Sequence, residues 1–340
     1  MRQIWITRAG SPDVLQLREA EIPSPAPGEV RIAVEASGVN FADVMGRLGL
    51  YPDAPPIPYV PGYEVAGHID AVGDGVSEDR LGELVIALVK FGGYGEYICV
   101  PHDQAFHRPA GMSVEEAAGF PVAYLTAYMS LVIMAGIKPG DHVLIHAAAG
   151  GVGLAAVDIA QIFNATIYGT ASANKHDFLR ERGVQHPIDY RHKDFEREIK
   201  RLTNGRGVQI ALDSVGGRSW LKSYRTLSAA GRLVAGGVSS LAPGERRSVW
   251  GMLKFALTVP WWQFNPVSLA NANKGVAGIN LGRLWDERAL LRVWMDQVLA
   301  WYAEGHLHPK VDKVFPLEEA AAAHRYLQER RNIGKVILKP

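Results

Sequence analysis

Ala148-Ala149-Gly150-Gly151-Val152-Gly153 is a run of small residues that could cradle a dinucleotide pyrophosphate. It follows the apolar run His142-Val143-Leu144-Ile145 and precedes the helix-patterned Leu154-Ala155-Ala156-Val157-Asp158-Ile159-Ala160, so it reads as the turn between a strand and a helix. A helix start offers unpaired backbone N–H groups and the positive end of the helix dipole, and small side chains let a phosphate approach the backbone. Against the spacing Gly-x-Gly-x-x-Gly, alanine replaces the first glycine, while Gly150 and Gly153 supply the other two. A tight turn that binds nothing would use the same residues; the flanking periodicity favours a phosphate site. Ala149, Gly150, Gly151, Val152 and Gly153 are therefore candidate cofactor ligands.

Cofactor choice is written further along. About twenty residues past such a turn, an acidic side chain would bind the adenosine ribose 2′-hydroxyl of NAD. Gly169-Thr170-Ala171-Ser172-Ala173-Asn174-Lys175 carries none and instead offers a hydroxyl, an amide and a cation, groups suited to a 2′-phosphate. NADPH is expected over NADH, through Ser172 and Lys175; the bland alternative is that Lys175 only solvates a helix start. The eleven histidines could tempt a metal assignment. However, His102 with His107 and His306 with His308 lack the His-x-x-x-His spacing, and His142 with His146, though four apart, fall on a predicted strand and not a helix, which points to surface or packing roles. The single cysteine, Cys99, excludes a disulfide within the chain and a cysteine-rich zinc site; it suits a reducing cytoplasm, with strand filler as its plain role.

The elements that must position these groups fall into two textures. The 340 residues suggest about two domains, and 48% apolar with 21% charged residues is the balance of a soluble globular chain. A formal charge of +1 leaves no global field to recruit nucleic acid or an anionic membrane. The start, Met1-Arg2-Gln3-Ile4-Trp5-Ile6, lacks signal-peptide character, and no run reaches the roughly 18–20 apolar residues of a membrane span, so a cytoplasmic, non-spanning protein is expected. An apolar insert, 249–262, is interrupted by Lys254 and Pro260. The first third is turn-rich and alternating, as in Val30-Arg31-Ile32-Ala33-Val34-Glu35-Ala36, and predicts a mainly β domain. From about residue 123 the pattern becomes helix 124–135, strand 142–146, helix 152–163, strand 166–169 and helix 175–182. Strands at 184–188, 208–213, 231–238 and 275–280 continue it. This is the rhythm of a parallel, doubly wound α/β sheet. A helix at 287–302 and a closing strand at 334–338 complete the chain.

The order of elements resembles the medium-chain dehydrogenase/reductase superfamily, in its zinc-free quinone oxidoreductase branch. The likeness runs nearly end to end through Gly38-Val39-Asn40-Phe41-Ala42-Asp43-Val44, Gly49-Leu50-Tyr51-Pro52, Pro61-Gly62-Tyr63-Glu64-Val65-Ala66-Gly67, Leu125-Thr126-Ala127-Tyr128, Ile188-Asp189-Tyr190 and Asn332-Ile333-Gly334-Lys335-Val336. Gly169 to His176, Trp261-Trp262-Gln263-Phe264 and Asn280-Leu281-Gly282 look like the vesicle amine transport protein homologues within that branch. The resemblance implies a Rossmann nucleotide domain and a GroES-like catalytic domain, divided as 1–122, 123–283 and a C-terminal return, 284–340. Zinc-dependent relatives place a cysteine at Asn40 and a histidine at Tyr63 and add a four-cysteine lobe; none of these is here, so no metal is expected.

The same resemblance puts Asn40, Tyr51 and Thr126 around the nicotinamide and substrate, and Tyr190 with Lys175 at the adenosine phosphate end. Tyr51 is the candidate acid, its phenol able to donate to a developing enolate or quinol oxygen; a plain pocket wall is its alternative. Val276 to Gly282, with Asn280 and Gly282, would run beside the nicotinamide and pair with a second copy in a homodimer. The expected function is an NADPH-dependent reductase of a small quinone or α,β-unsaturated carbonyl. Two alternatives stay open. One is a low-turnover NADPH-binding protein whose 250–262 insert meets lipid or a partner, with peripheral membrane contact; the other is an enoyl-thioester reductase.

Overall fold

The computed structural model describes residues 1–242, 244–245, 249–260 and 264–340. Trp261, Trp262 and Gln263 of the apolar insert lie outside the described residues.

Two strands, β1 (Arg2–Ile6) and β2 (Leu15–Glu19), form an antiparallel pair. They precede β3 (Glu29–Val39), helix α1 (Phe41–Arg47), β4 (Glu64–Val72), β5 (Leu84–Leu88), β6 (Tyr97–Pro101) and β7 (Ala105–His107). In β3 the alternation seen in the sequence buries Val30, Ile32 and Val34 on one face, where they pack with residues such as Val65, Val85 and Val100. Helices α2 (Val114–Ala118) and α3 (Pro121–Tyr128) follow, with proline at the first turn of α3, where its missing N–H costs nothing. The helix expected over 124–135 is split: α3 passes at Met129 into a π-helical segment, Met129–Met134, a rare geometry that recurs at functional sites.

The second unit holds β8 (His142–Ile145), α4 (Gly151–Ile162), β9 (Thr166–Ala171), α5 (His176–Glu181), β10 (His186–Asp189), α6 (Phe195–Leu202), β11 (Val208–Asp213), α7 (Arg218–Arg225) and β12 (Leu227–Ala235). Then come α8 (Val249–Thr258), α9 (Pro266–Ala272) and β13 (Gly275–Gly278). Its six strands are all parallel in the order β10-β9-β8-β11-β12-β13. The strand order reverses between β8 and β11, and this is the switch point where doubly wound sheets bind ligands. β12 begins four residues before the strand expected at 231–238, because Ala230 takes a left-handed φ of 59° and the strand bulges instead of ending there.

The chain closes with α10 (Arg288–Ala303), β14 (Val311–Pro316), α11 (Ala320–Gln328) and β15 (Lys335–Lys339). β15 pairs antiparallel with β3, giving a seven-stranded sheet ordered β14-β15-β3-β4-β5-β7 with β6 also on β3. The end of the chain thus completes the sheet its beginning started, and Gly334, just before β15, donates to Ala149 O at 2.8 Å. That contact seats the closing strand on the glycine turn of the other sheet. On α8, Trp250, Leu253 and Leu257 share one face and are 80%, 51% and 78% exposed. Among the described residues no helix is long and apolar enough to cross a membrane.

Candidate active site

A cavity of about 1560 Å³ runs between the two sheets, larger than the ~300–1,000 Å³ common for small-ligand sites. At one wall lies the glycine turn. Ala147 takes a left-handed φ of 50°, which turns the chain out of β8, and Gly150 starts α4 as an extended N-cap without a side-chain cap. Helix starts leave their first N–H groups unpaired, and here Gly151, Val152 and Gly153 line the cavity. A Cβ on Gly153 would stand 2.3 Å from Ala147 O and 2.7 Å from Ala148 Cα, so only glycine lets helix and strand approach this closely. The cradle therefore fits a pyrophosphate both electrostatically and in shape.

At the end of β9, Ser172 and Lys175 are buried and face the same cavity as the exposed Tyr190. The Lys175 ammonium donates to Arg330 O at 2.8 Å and Asn332 O at 2.5 Å, and burial lowers its pKa. Two of its three protons are thus held by the loop between α11 and β15, a tie that the sequence did not suggest. Burial would raise the Tyr190 phenol, but hydrogen bonds from Arg330 and Arg191, with their charges, outweigh it and lower its pKa. Arg330 therefore joins Ser172, Lys175 and Tyr190 as a cation beside the cavity, although it was not among the expected residues. Nothing in its own segment marked it; only the fold brings residue 330 to residue 190.

At the opposite end, Asn40 is fixed from both sides. Its Nδ2 donates to Glu64 Oε1 at 2.8 Å, and its Oδ1 accepts from Lys335 Nζ at 2.8 Å. Lys335 also donates to Glu64 Oε1 at 2.6 Å and Val39 O at 3.1 Å, while Glu64 Oε2 accepts from Val122 N at 2.8 Å. This buried pair was missed in the sequence. Its signal was present, since a lysine inside Gly334-Lys335-Val336-Ile337-Leu338 and a glutamate inside Tyr63-Glu64-Val65-Ala66 are charges in apolar strands that need each other. Asp43 caps α1 by accepting from Asn40 N and reaches Gly62 N at 2.9 Å; burial raises its carboxyl to about 7.

Tyr51 is half-buried and donates to Asn280 Oδ1 at 3.3 Å; burial, then Asp53 and Asp43, push its phenol up to about 12. Asn280 sits beyond β13 rather than within it. Its Nδ2 donates to Asp53 Oδ2 at 2.9 Å, its Oδ1 accepts from Gly282 N at 3.0 Å, and Arg283 pairs with Asp53 at 2.7 Å. A Cβ on Gly282 would come within 2.6 Å of the Tyr51 hydroxyl, so glycine permits this closure. Tyr63 stacks on Trp285 with ring centroids 6.3 Å apart and meets Tyr51 edge-on at 6.0 Å. Thr126 lines the cavity from α3.

The histidine pairs do not assemble into ligand sets. His102, His107, His306 and His308 are exposed, and buried His146 is held by Thr170 Oγ1 at 3.1 Å and Ser223 Oγ at 2.9 Å. Among the described residues no three His, Cys, Asp or Glu side chains gather as a metal-binding group. Cys99, half-buried on β6, has its thiol pushed up to about 11, chiefly by burial.

A family model described as alcohol dehydrogenase GroES-like domain matches residues 26–110, and one described as zinc-binding dehydrogenase matches 182–338. The synaptic vesicle membrane protein VAT-1 homolog of Rattus norvegicus is 44% identical over 330 residues, covering 96% of this chain and 80% of the rat protein. Escherichia coli quinone oxidoreductase, solved in complex with NADPH, superposes with a TM-score of 0.86 at 31% identity over 100% of both chains. The CurK enoyl reductase gives 0.84 at 33% identity, covering 99% of this chain and 98% of that one.

Proposed function

The chain belongs to the medium-chain dehydrogenase/reductase superfamily of oxidoreductases, and from that premise we propose a zinc-independent NADPH-dependent reductase of quinones or α,β-unsaturated carbonyls. The observation that carries it is one continuous cavity with a phosphate cradle at Gly150 to Gly153, cations at Lys175 and Arg330, and an uncharged Tyr51 at the far end. When bound, NADPH supplies a hydride, so that with one proton an enone becomes a saturated ketone, or a quinone a quinol. Ser172, Lys175, Tyr190 and Arg330 hold the 2′-phosphate, and the N–H groups of α4 hold the pyrophosphate. Asn40, fixed by Glu64 and Lys335, and Thr126 shape the nicotinamide end. Tyr51, protonated at neutral pH, leaves its 3.3 Å contact with Asn280 to donate to the oxygen that gains charge.

Zinc independence rests on the donor set. Zinc-dependent relatives present thiolate and imidazole, whereas this chain presents an amide and a phenol, with the neighbouring carboxylate already paired to a lysine. A cytoplasmic homodimer, joined through the outer edge of β13, belongs to the same proposal, as does the division into 1–122, 123–283 and 284–340. The exposed Trp250, Leu253 and Leu257 face favours one further reading: a slow cofactor-binding protein that docks on lipid or a partner. Following NADPH consumption against quinones, enones and acyl thioesters decides between them. Turnover of the first two is expected; preference for thioesters would transfer the assignment to enoyl reduction, and no turnover with intact NADPH binding would favour the docking protein.

A further inference from the structure

The cavity is also lined by the π-helical turn that ends α3, by the turn at Leu281–Arg283 and by α10, and α3 itself packs against both of the latter two. Its lining there is Met129, Ile133, Met134, Leu284, Leu290 and Trp294. Three of these are large aliphatic side chains left well exposed, Ile133 at 45%, Met134 at 43% and Leu290 at 40%. The charged side chains of the cavity lie elsewhere among the described residues, on the 175–194 segment, α7 and the 330–335 segment, and Arg283 is taken by Asp53. A polar occupant of this arm would lose its hydration and find no partner. A hydrocarbon chain would instead cover the exposed aliphatics, and the methionines can adapt to its path.

We infer that this arm binds the tail of the substrate, and that the substrate is a long-chain one, carrying an alkyl or isoprenyl tail on its reducible head. The identity of the head rests on the reductase reading above; the tail rests on the arm alone. The π-helical turn explains how the arm is made. Its wider turn breaks the α3 register over Met129–Met134, the segment that carries Met129, Ile133 and Met134 of the lining.

Two measurements test this separately. Calorimetry with straight-chain saturated ketones from hexanone to dodecanone, with NADP⁺ present, reads the arm without turnover. Affinity is expected to rise by up to about fourfold per added methylene until the arm is full. Steady-state reduction of the matching enones reads the reductase, with kcat/KM rising alongside. Ile133→Glu and Met134→Glu, both at exposed positions that tolerate charge without unfolding, should flatten the dependence on length. Affinity that does not change with length overturns the tail inference, whether or not enones are reduced. Affinity that rises equally in wild type and both variants overturns the assignment to this arm. Rising affinity with no reduction supports the arm and refutes the reductase.

Discussion

Replacing Lys335 by methionine should expose how the closing strand holds the candidate active site. Methionine fills the space of the lysine stem, which lies against Gly119 and Gly151, so little packing is lost. The ammonium is lost, and with it contacts to Glu64 at 2.6 Å, Asn40 at 2.8 Å and Val39 O at 3.1 Å. Glu64, fully buried, keeps only neutral donors, Asn40 Nδ2 and Val122 N, both at 2.8 Å. Breaking a buried pair from one side costs about 3–5 kcal/mol, because a charge is left uncompensated. With 340 residues and an unfolding entropy of about 2.1 cal/mol/K per residue, that is a fall of about 4–7 °C in Tm if the chain melts as one unit. Scanning calorimetry of Lys335→Met, Glu64→Gln and the double variant tests it, with the double variant recovering most of the loss because the stranded charge is gone. A single-variant shift below about 1 °C, or a double variant no better than the single, refutes the reasoning.

Lys175→Glu and Arg330→Ala should each weaken NADPH by about one to two decades, with NADH nearly unchanged; equal losses for both cofactors, measured by calorimetry, would remove the 2′-phosphate assignment. Tyr51→Phe should lower kcat on an enone by roughly 10²-fold and leave NADPH affinity unchanged. Since the Tyr51 phenol sits at about 12, its contribution should not titrate through neutral pH, and a variant with full activity makes it pocket wall only. Metal analysis after purification should find no stoichiometric zinc, and zinc that survives chelation would mean a ligand set was overlooked. Buried His324, held neutral by burial and by the charge of Arg47, is lowered from 6.5 to about 3. The unfolded chain therefore takes up that proton first as pH falls, and stability is complete above about 6.5 and lost progressively toward 3. Comparing urea midpoints of wild type and His324→Phe across that window should show a shallower acid loss in the variant; parallel curves would exclude the histidine as the cause.

Much of the fold was legible because its signals are local. The alternation of β3, the run of β8 and the glycine turn into α4 each sit within a dozen residues and say how the backbone must run. Boundaries were less so. Nothing in 124–135 announced that α3 would loosen into a π-helical turn at Met129, since that depends on what the segment packs against. Similarly, Asn280 looked like the end of a strand, and became a cap for the next turn and a partner for Tyr51 and Asp53.

By itself the sequence determined where a phosphate can approach the backbone, that an acidic ribose ligand is absent after β9, and that positions 40 and 63 carry an amide and a phenol, where the resemblance implies thiolate and imidazole in zinc-dependent relatives. Each follows from what residues at one place can or cannot do: a glycine admits a close approach, an amide is a poor metal ligand, a hydroxyl and a cation can receive a phosphate. Only the tertiary structure decided that Arg330 would stand beside Tyr190, that Lys175 would be tied to the loop before β15, and that Lys335 would reach Glu64 and Asn40 across 271 and 295 residues of chain. Those pairings come from strand β15 docking on β3 and on the glycine turn. A buried charge states in sequence only that it needs a partner; which partner is settled by the sheet that carries both.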